Sequence, residues 1–500
     1  MRSHPHLLEI AAWPWLERLS REERRLVTLA DVPDRCWDAF ARQGFDSVFL
    51  MGVWRRSGLG REIARTDPSL RAAYDRALPG WTDADVVGSP YCIQAYEPDD
   101  RIGGWNGLDA AHRALRRRGV QLVLDFVPNH TAFDHDWVRR YPERYVLATR
   151  TDYDQAPADF RPVETEHGQT IYVACGRDPY FPPWTDVAQL NYFNDETREA
   201  MRNTLVSIAA HCDGVRCDMA MLVFNDVFDR TWRRLLRDRW PIPSSEFWRQ
   251  TTRAIPQLMY LAEVYWNLEG AAIEQGFHFA YDKRLLDALH DSGTAARVRA
   301  LLESTEPDAS KLARFLENHD EPRSAETLAP LLPASLGLLA SLPGLRFFFD
   351  GQSEGRRVRT PVQLGRWPDE PIDVQIRELH ARVLEFATKP VLHEGSWHIL
   401  EVTPASDDTW QKIVAYRWRA KEALAVITVN LGDGMSEAHI EVRDDLPAAS
   451  VFLFEDALSG KTYNWTGASL RDRGLWVRLE AGGAHLFLVH DAEEFPGSIE

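Results

Sequence analysis

Four short stretches of the sequence combine carboxylates with histidine or arginine, and each comes directly after an apolar run. They are DFVPNH (125–130), GVRCDMA (214–220), LAEVYW (261–266) and ENHDEPR (317–323). Paired carboxylates can divide the work of catalysis when one is protonated and the other is ionised. Alternate residues of a strand face the same way, so Arg216 is expected beside Asp218, where its charge would keep that carboxylate ionised. The residue types therefore indicate acid/base and nucleophilic chemistry.

The segments between these stretches show how they could meet. Strand-like apolar runs alternate with helical patterns at 6–13, 46–54, 119–130, 211–220, 258–266, 276–282, 312–320 and 344–351. Repeated strand–helix units favour a parallel sheet, and eight of them predict a (β/α)8 barrel. A doubly wound sheet is the alternative, but it would normally carry a glycine-rich turn after its first strand, and none follows here. A barrel would gather the four stretches at the carboxyl ends of its strands.

Two regions break this alternation. Residues 131–190 mix aromatics, prolines and charges without a clear period, which predicts a small subdomain inserted after the third strand. Residues 389–500 contain alternating strands separated by turn residues, which predicts a C-terminal β-sandwich. The catalytic barrel is accordingly expected to comprise 1–130 and 191–388.

Composition excludes several classes of protein. The 500 residues include 58 Lys+Arg and 75 Asp+Glu, a net charge of −17, and the 44% hydrophobic content is that of a globular protein. The acidic balance argues against nucleic-acid and anionic-membrane partners. Charges and prolines interrupt every apolar run near the N-terminus, so no signal peptide is expected, and no run reaches the roughly 20 residues of a membrane span. Five scattered cysteines favour free thiols in the cytoplasm.

The motifs, taken in order, carry a resemblance to a known family. The four stretches resemble the four sequence regions of the α-amylase superfamily of retaining α-glycoside hydrolases and transglycosylases. Three further motifs resemble parts of the same family: SPYCIQAY (89–96), QLNYFN (189–194) and PGLRFFFDGQSEG (343–355). Each motif is moderately specific, and their order at barrel spacing makes the set highly specific.

The resemblance implies a role for each matching residue. Asp218 matches the catalytic nucleophile, Glu263 the general acid/base and Asp320 the third carboxylate, which stabilises the transition state. The residues that match substrate-binding positions are Tyr91, which stacks on the sugar, Arg216, held against the nucleophile, and His130 and His319, which hydrogen-bond the sugar. Asp125 would organise Arg216 and its loop.

The resemblance also implies partners and cofactors. The substrate would be a small carbohydrate, and the chemistry would require no cofactor. Asn129 stands where several members bind a structural calcium ion.

The sequence departs from the family pattern in ways that bear on the substrate. Many members have Lys-His after the nucleophile, whereas this chain has the apolar run Met219–Leu222. Arg323, three residues after Asp320, resembles members that act on short α-glucosides. The leading hypothesis is a retaining α-glycosidase acting on short α-glucosides or α-glucans. An α-glucosyl transferase on the same scaffold is the alternative. A non-catalytic carbohydrate-binding relative is a third, and the presence of all three carboxylates argues against it.

Overall fold

A closed parallel barrel forms the centre of the molecule. The computed structural model describes residues 2–236, 239–291, 293–421, 423–442, 446 and 450–491. Within them the barrel strands, first to eighth, are His6–Ala11, Ser47–Met51, Gln121–Phe126, Gly214–Cys217, Met259–Ala262, Phe279–Tyr281, Leu312–Arg314 and Leu345–Phe349. Each strand pairs with its neighbour in the chain, and the eighth pairs with the first. The predicted (β/α)8 barrel is confirmed, and the doubly wound alternative is excluded.

Helices cover the barrel. Strands such as SVFLM and LRFFF are buried along their whole length, because one face fills the barrel and the other packs against helices. Side chains cap several helices: Asp67, Asn194 and Asp373 each accept hydrogen bonds from backbone N–H groups of the following first turn. The α-helices of the barrel region are Ala12–Glu23, Asp34–Arg42, Gly58–Thr66, Pro68–Ala77, Gly104–Arg116, Asp195–Ala209, Asn225–Leu236, Phe247–Ala254, Glu269–Glu274, Arg284–Leu289, Thr294–Glu303, Ser324–Thr327, Leu332–Ser341 and Val374–Ala387. The short helix Val391–Glu394 follows in the C-terminal region.

The segment after the third barrel strand forms an antiparallel sheet of its own. Its strands are His130–Ala132, Leu147–Ala148, Phe160–Glu164, Thr170–Gly176 and Trp184–Gln189. The helices Asp136–Arg140 and Arg150–Gln155 lie between them. A separate hairpin-like pair joins Trp54–Arg56 to Ile93–Pro98. The inserted subdomain therefore departs from and returns to the carboxyl-end rim of the barrel, called the barrel mouth below.

Antiparallel sheets make up the C-terminal region. One contains Ser396–Ile399, Ile413–Ala420, Ala423–Asn430, Val451–Asp456, Thr462–Thr466 and Ala484–Asp491, and the other Val402–Pro404, Ser436–Ile440 and Leu475–Leu479. Side chains of both sheets, among them Phe452 and Val477, share one hydrophobic core, which confirms the all-β sandwich. The helix Gly467–Arg473 links two of these strands.

The remaining regular elements are short 3-10 turns. They are Asp100–Ile102, Pro142–Arg144, Pro157–Asp159, Ala220–Val223, Ala309–Lys311, Ala329–Leu331 and Asp408–Lys412. Within the described ranges, every helix is too short or too polar to cross a lipid bilayer.

Candidate active site

The fourth and fifth barrel strands deliver two carboxyl groups side by side. Asp218 follows the fourth strand, Glu263 follows the fifth, and Cys217 pairs in register with Ala262. Backbone bonds continue the ladder past the strand ends, since the Asp218 N–H donates to Phe126 O at 2.8 Å and the Glu263 N–H to Cys217 O at 3.0 Å. The two acids are therefore fixed at the barrel mouth by backbone structure.

One guanidinium bridges these two acids. Arg216 is 1% exposed, and its Nη1 lies 2.6 Å from Oδ1 of Asp218 while Nη2 lies 2.8 Å from Oε2 of Glu263. The rings of Tyr91 and Tyr281 lie 5.2 Å and 5.7 Å from the guanidinium carbon and complete its enclosure. Arg216 thus holds both carboxyls in one buried ion cluster.

Burial has the strongest influence on the pKa values of Asp218 and Glu263. It raises the pKa of Glu263 to about 7, against the lowering effect of Arg216 and with a further upward contribution from Asp218. Burial also raises the pKa of Asp218, and Arg216 opposes this effect. The sequence predicted that Arg216 beside Asp218 would keep that carboxylate ionised. The structure differs in two ways: burial outweighs Arg216 and raises the pKa of Asp218, and the guanidinium bonds to Glu263 as well.

Local backbone geometry orients Glu263. Met219 has φ 40°, in the left-handed region that non-glycine residues rarely adopt, and its N–H donates to Oε2 of Glu263 at 2.7 Å. The Tyr265 hydroxyl donates to Oε1 at 2.9 Å. Both oxygens of Glu263 are therefore positioned, and the strained residue lies directly after Asp218.

A second ion cluster joins the seventh strand to the first. Nδ1 of His319 lies 2.5 Å from Oε1 of Glu9, and its Nε2 lies 3.0 Å from Oδ2 of Asp320 and 2.7 Å from the Tyr91 hydroxyl oxygen. Burial alone would lower the pKa of His319, but Asp320 and Glu9 raise it well above its ordinary value. Burial alone would raise the pKa of Asp320, but His319 holds it below its usual range. Asp320 is 47% exposed and faces the open mouth.

The other predicted site residues surround these clusters. His130 Nε2 donates to the Tyr91 carbonyl at 3.2 Å, and its Nδ1 accepts from Asn129 Nδ2 at 3.3 Å. Burial lowers the pKa of His130 to about 4, which keeps the ring neutral. Asp125 accepts a bond from the Gly52 N–H at 2.8 Å and acts on Arg216 through its charge. Tyr91 and His319 are in direct contact, and His130 bonds to the backbone carbonyl of Tyr91.

Comparison with known proteins adds a second line of evidence. No family model matches the chain. The α-amylase MalA of Haloarcula japonica is 25% identical over 336 residues, which cover 65% of this chain and 44% of that protein. The trehalose synthase/amylase TreS of Mycolicibacterium smegmatis is 26% identical over 242 residues, which cover 43% of this chain and 39% of that protein.

Solved structures share the fold across nearly the whole chain. The maltogenic α-amylase AmyB of Thermotoga neapolitana aligns with a TM-score of 0.68 at 17% identity, covering 97% of this chain and 98% of that one. The α-amylase of Geobacillus thermoleovorans aligns with a TM-score of 0.67 at 15% identity, and the alignment covers 98% of this chain and 99% of that one. The resemblance to the α-amylase superfamily is confirmed. The chain spans less than half the length of the two curated relatives named above.

The side chain of Asn129, which stands where several superfamily members bind calcium, is bonded to Gln189. Its side-chain oxygen accepts a bond from Gln189 Nε2 at 2.9 Å, and its Nδ2 lies 3.2 Å from Gln189 Oε1, so the amide is engaged within the protein. Among the described residues, His, Cys, Asp and Glu form no group of three or more that could hold a metal ion.

The motif comparison gave no role to three residues of the site. Glu9, Tyr265 and Tyr281 contact His319, Glu263 and Arg216 respectively. Glu9 had a signal in the sequence, because it is an acid inside the apolar run HLLEIA, and a buried acid requires a partner. Tyr281 lies at the end of the sixth strand, which none of the superfamily motifs covers.

Proposed function

We propose that the protein is a retaining α-glycoside hydrolase that acts on short α-glucosides or α-glucans. The observation that carries this proposal is the sharing of one guanidinium by Asp218 and Glu263. Retaining enzymes need two carboxyl groups about 5–5.5 Å apart on either side of the bond to be cleaved. Two carboxyls bound to the same planar cation are close enough for that route.

The chemistry proceeds by two displacements. Glu263 in its acid form donates a proton to the glycosidic oxygen while a carboxylate oxygen of Asp218 attacks the anomeric carbon, and the bond to the leaving group breaks. A glycosyl ester on Asp218 results. The Glu263 carboxylate then removes a proton from water, the water oxygen attacks the anomeric carbon, and Asp218 is released. A pKa of about 7 gives Glu263 both forms near neutrality.

Asp320 has the role of stabilising the transition state. The sugar acquires positive charge as the glycosidic bond breaks. The lowered pKa of Asp320 keeps it anionic throughout, and its exposure leaves it accessible to the sugar. Tyr91 lies stacked against His319 with ring centroids 5.3 Å apart and supplies an aromatic surface at the same place.

The preference for short substrates rests on the residues that follow the nucleophile. Ala220–Val223 form a 3-10 turn whose four side chains are buried. They offer no polar group to a long glucan in the position where many relatives carry Lys-His. We also infer a cytoplasmic location, which the five free cysteines support, since reducing compartments maintain thiols.

The decisive test is Asp218→Asn. We expect kcat to fall by about 10⁴-fold or more, because a neutral amide cannot form the glycosyl ester. Hydrolysis of p-nitrophenyl α-glucoside, maltose, isomaltose, trehalose, sucrose, nigerose and soluble starch measures both activity and substrate preference. Asp213→Asn is the matched control, since Asp213 immediately precedes the fourth strand and bonds to His112 at 2.9 Å, away from the mouth. Unchanged turnover in Asp218→Asn would refute the assignment.

Transfer to an acceptor sugar would use the same carboxylates, and product analysis separates the two reactions. Incubation with maltose or sucrose at high acceptor concentration is expected to give mainly free glucose. If acceptor glucosides form the majority of the products, the reaction is transglycosylation and not hydrolysis. The roles assigned to the three acids would stay the same.

A further inference from the structure

An aromatic contact joins the inserted subdomain to the loop that follows Glu263. Tyr180 lies in the connection 177–183 of a hairpin in the antiparallel sheet of that subdomain. Its ring meets the ring of Trp266 edge to face, with centroids 4.9 Å apart and an interplanar angle of 80°. Trp266 comes three residues after Glu263, so the Cα atoms of these two residues are at most about 11 Å apart. The contact therefore lies at the barrel mouth, beside the acid. We call Tyr180 and Trp266 the aromatic pair.

The hairpin connection carries exposed aromatic side chains on a fixed backbone. Tyr180 is 59% exposed and the adjacent Phe181 is 62% exposed. The buried carboxylate of Asp178 accepts hydrogen bonds from the backbone N–H groups of both residues, at 2.6 Å and 2.9 Å. Exposed aromatic surface is costly in water, and neighbouring exposed apolar groups beside a reaction site indicate a surface that a ligand covers.

The backbone after Glu263 is strained where it meets the hairpin. Trp266 and Asn267 have φ values of 62° and 60°, so two consecutive non-glycine residues lie in the left-handed region. Such conformations are costly, and they persist where the surrounding structure enforces them, often at ligand sites. Here the strained residue is the one whose indole contacts Tyr180, so the two loops are fixed where they meet.

Two polar atoms of the aromatic pair remain available to a ligand. The Tyr180 hydroxyl and the Trp266 indole N–H have no hydrogen-bond partner within the part of the chain that the structure describes. Both atoms are accessible, since Tyr180 is mostly exposed and Trp266 is half-buried with its indole nitrogen open to solvent. Aromatic faces flanked by an O–H and an N–H suit a sugar ring, which has apolar C–H faces and hydroxyl groups at its edge.

The position of the aromatic pair shows which sugar it would meet. In the proposed reaction Glu263 protonates the glycosidic oxygen, so the leaving group must lie beside it. The fifth strand, which leads to Glu263 and Trp266, stands opposite the first strand in the ring of eight. The first strand carries Glu9, the partner of His319. The sugar held at His319 and the sugar that Trp266 would meet are therefore on different sides of the bond to be cleaved.

We propose that Tyr180 and Trp266 together bind the departing sugar, so that the enzyme prefers substrates whose leaving group is itself a sugar ring. This inference rests on the proposed function and adds a specificity to it. The barrel supplies the three carboxylates, and the inserted subdomain selects the leaving group through Tyr180.

Two substrates with the same glucosyl part separate leaving-group binding from the chemistry. Maltose releases a sugar ring, whereas α-glucosyl fluoride releases a fluoride ion, which has no ring to bind. We expect Tyr180→Ala and Trp266→Ala each to lower kcat/KM on maltose by about tenfold or more, and to leave that on α-glucosyl fluoride within about twofold. Trp476→Ala is the matched control, because this tryptophan is 41% exposed on the C-terminal strand Leu475–Leu479, and its kinetics should equal those of the wild type.

The exposed Tyr180 makes its variant the decisive one, since folding does not depend on a side chain that lies mostly in solvent. Unchanged kinetics on maltose in Tyr180→Ala, or equal losses on the two substrates, would overturn the proposal. A larger loss on p-nitrophenyl α-glucoside than on maltose would also overturn it, because the aromatic pair would then bind an aromatic alcohol.

A binding measurement separates failure of this inference from failure of the proposed function. Titration calorimetry of full-length Asp218→Asn protein requires no turnover. Maltose should bind at least about tenfold more tightly than methyl α-glucoside, which lacks the second ring, and adding Tyr180→Ala should remove the difference. Equal affinities for the two sugars before that addition would count against the aromatic pair. If the wild type hydrolyses neither maltose nor α-glucosyl fluoride, the proposed function fails and the calorimetry alone decides this inference.

Discussion

The barrel mouth contains two ion clusters of similar composition but opposite protonation behaviour. In one, Arg216 lies between Asp218 and Glu263, and the pKa values of both acids are raised. In the other, His319 lies between Glu9 and Asp320, and the pKa of Asp320 is lowered. Each cluster shares one cation between two acids, so counting charges does not explain the difference.

Interactions between the two clusters contribute to the difference. Burial is the largest contribution for all three acids, and for Asp218 and Glu263 it outweighs the attraction of Arg216, while the charge of Asp320 raises both pKa values further. For Asp320 the pairing with His319 prevails over burial, and the charge of Arg216 adds to the lowering. In the proposed mechanism the first cluster therefore prepares a proton donor, and the second maintains a negative charge at the barrel mouth.

Of the variants that test this contrast, Arg216→Lys, in the first cluster, is expected to have the largest effect on activity. Lysine retains the charge but cannot bond to two carboxylates with separate nitrogens in a fixed plane. We expect kcat/KM to fall by about 10²–10³-fold, the loss typical of one preorganised donor. Steady-state kinetics on maltose measures the change.

A second buried arginine provides the matched control for this variant. Arg314→Lys removes an arginine that bonds to Asp282 at 3.0 Å and to Pro343 O at 2.9 Å, away from the mouth. Its melting temperature should fall while its kcat/KM stays near the wild-type value. Equal losses of activity in the two variants would mean that Arg216 is only structural.

Glu9→Gln tests the second cluster. Glu9 helps to raise the pKa of His319, so removing its charge should lower that pKa, and the ring should lose its proton at lower pH than in the wild type. NMR titration of the histidine rings, with the His319 signal assigned through His319→Gln, measures the shift. We expect a loss of about 2 kcal/mol, roughly 30-fold in kcat. An unchanged titration of His319 would refute the coupling.

The sequence predicted the barrel and the order of the site residues because both follow from local patterns. Strand periodicity and polar residues at strand ends are visible without a structure. It did not predict that Arg216 would reach Glu263, since that contact depends on the register of Cys217 against Ala262. Glu9 and Asp320 are 311 positions apart, and only barrel closure brings them to one histidine. The charges that act between the two clusters are likewise brought together by closure of the barrel.

The smallest expected effect is that of Tyr265→Phe, which alters the first cluster without removing a charge. The Tyr265 hydroxyl donates to Oε1 of Glu263, and such a bond favours the ionised carboxylate. Its loss should raise the pKa of Glu263 above about 7, so the acid form should persist to higher pH. The alkaline limb of the kcat profile on maltose should therefore move upward, with kcat reduced by about tenfold. Tyr260→Phe, in the strand that precedes Glu263, is the control, since its hydroxyl bonds to Ile255 O at 3.0 Å. A downward shift in Tyr265→Phe, or equal profiles in the two variants, would refute this role of the Tyr265 hydroxyl.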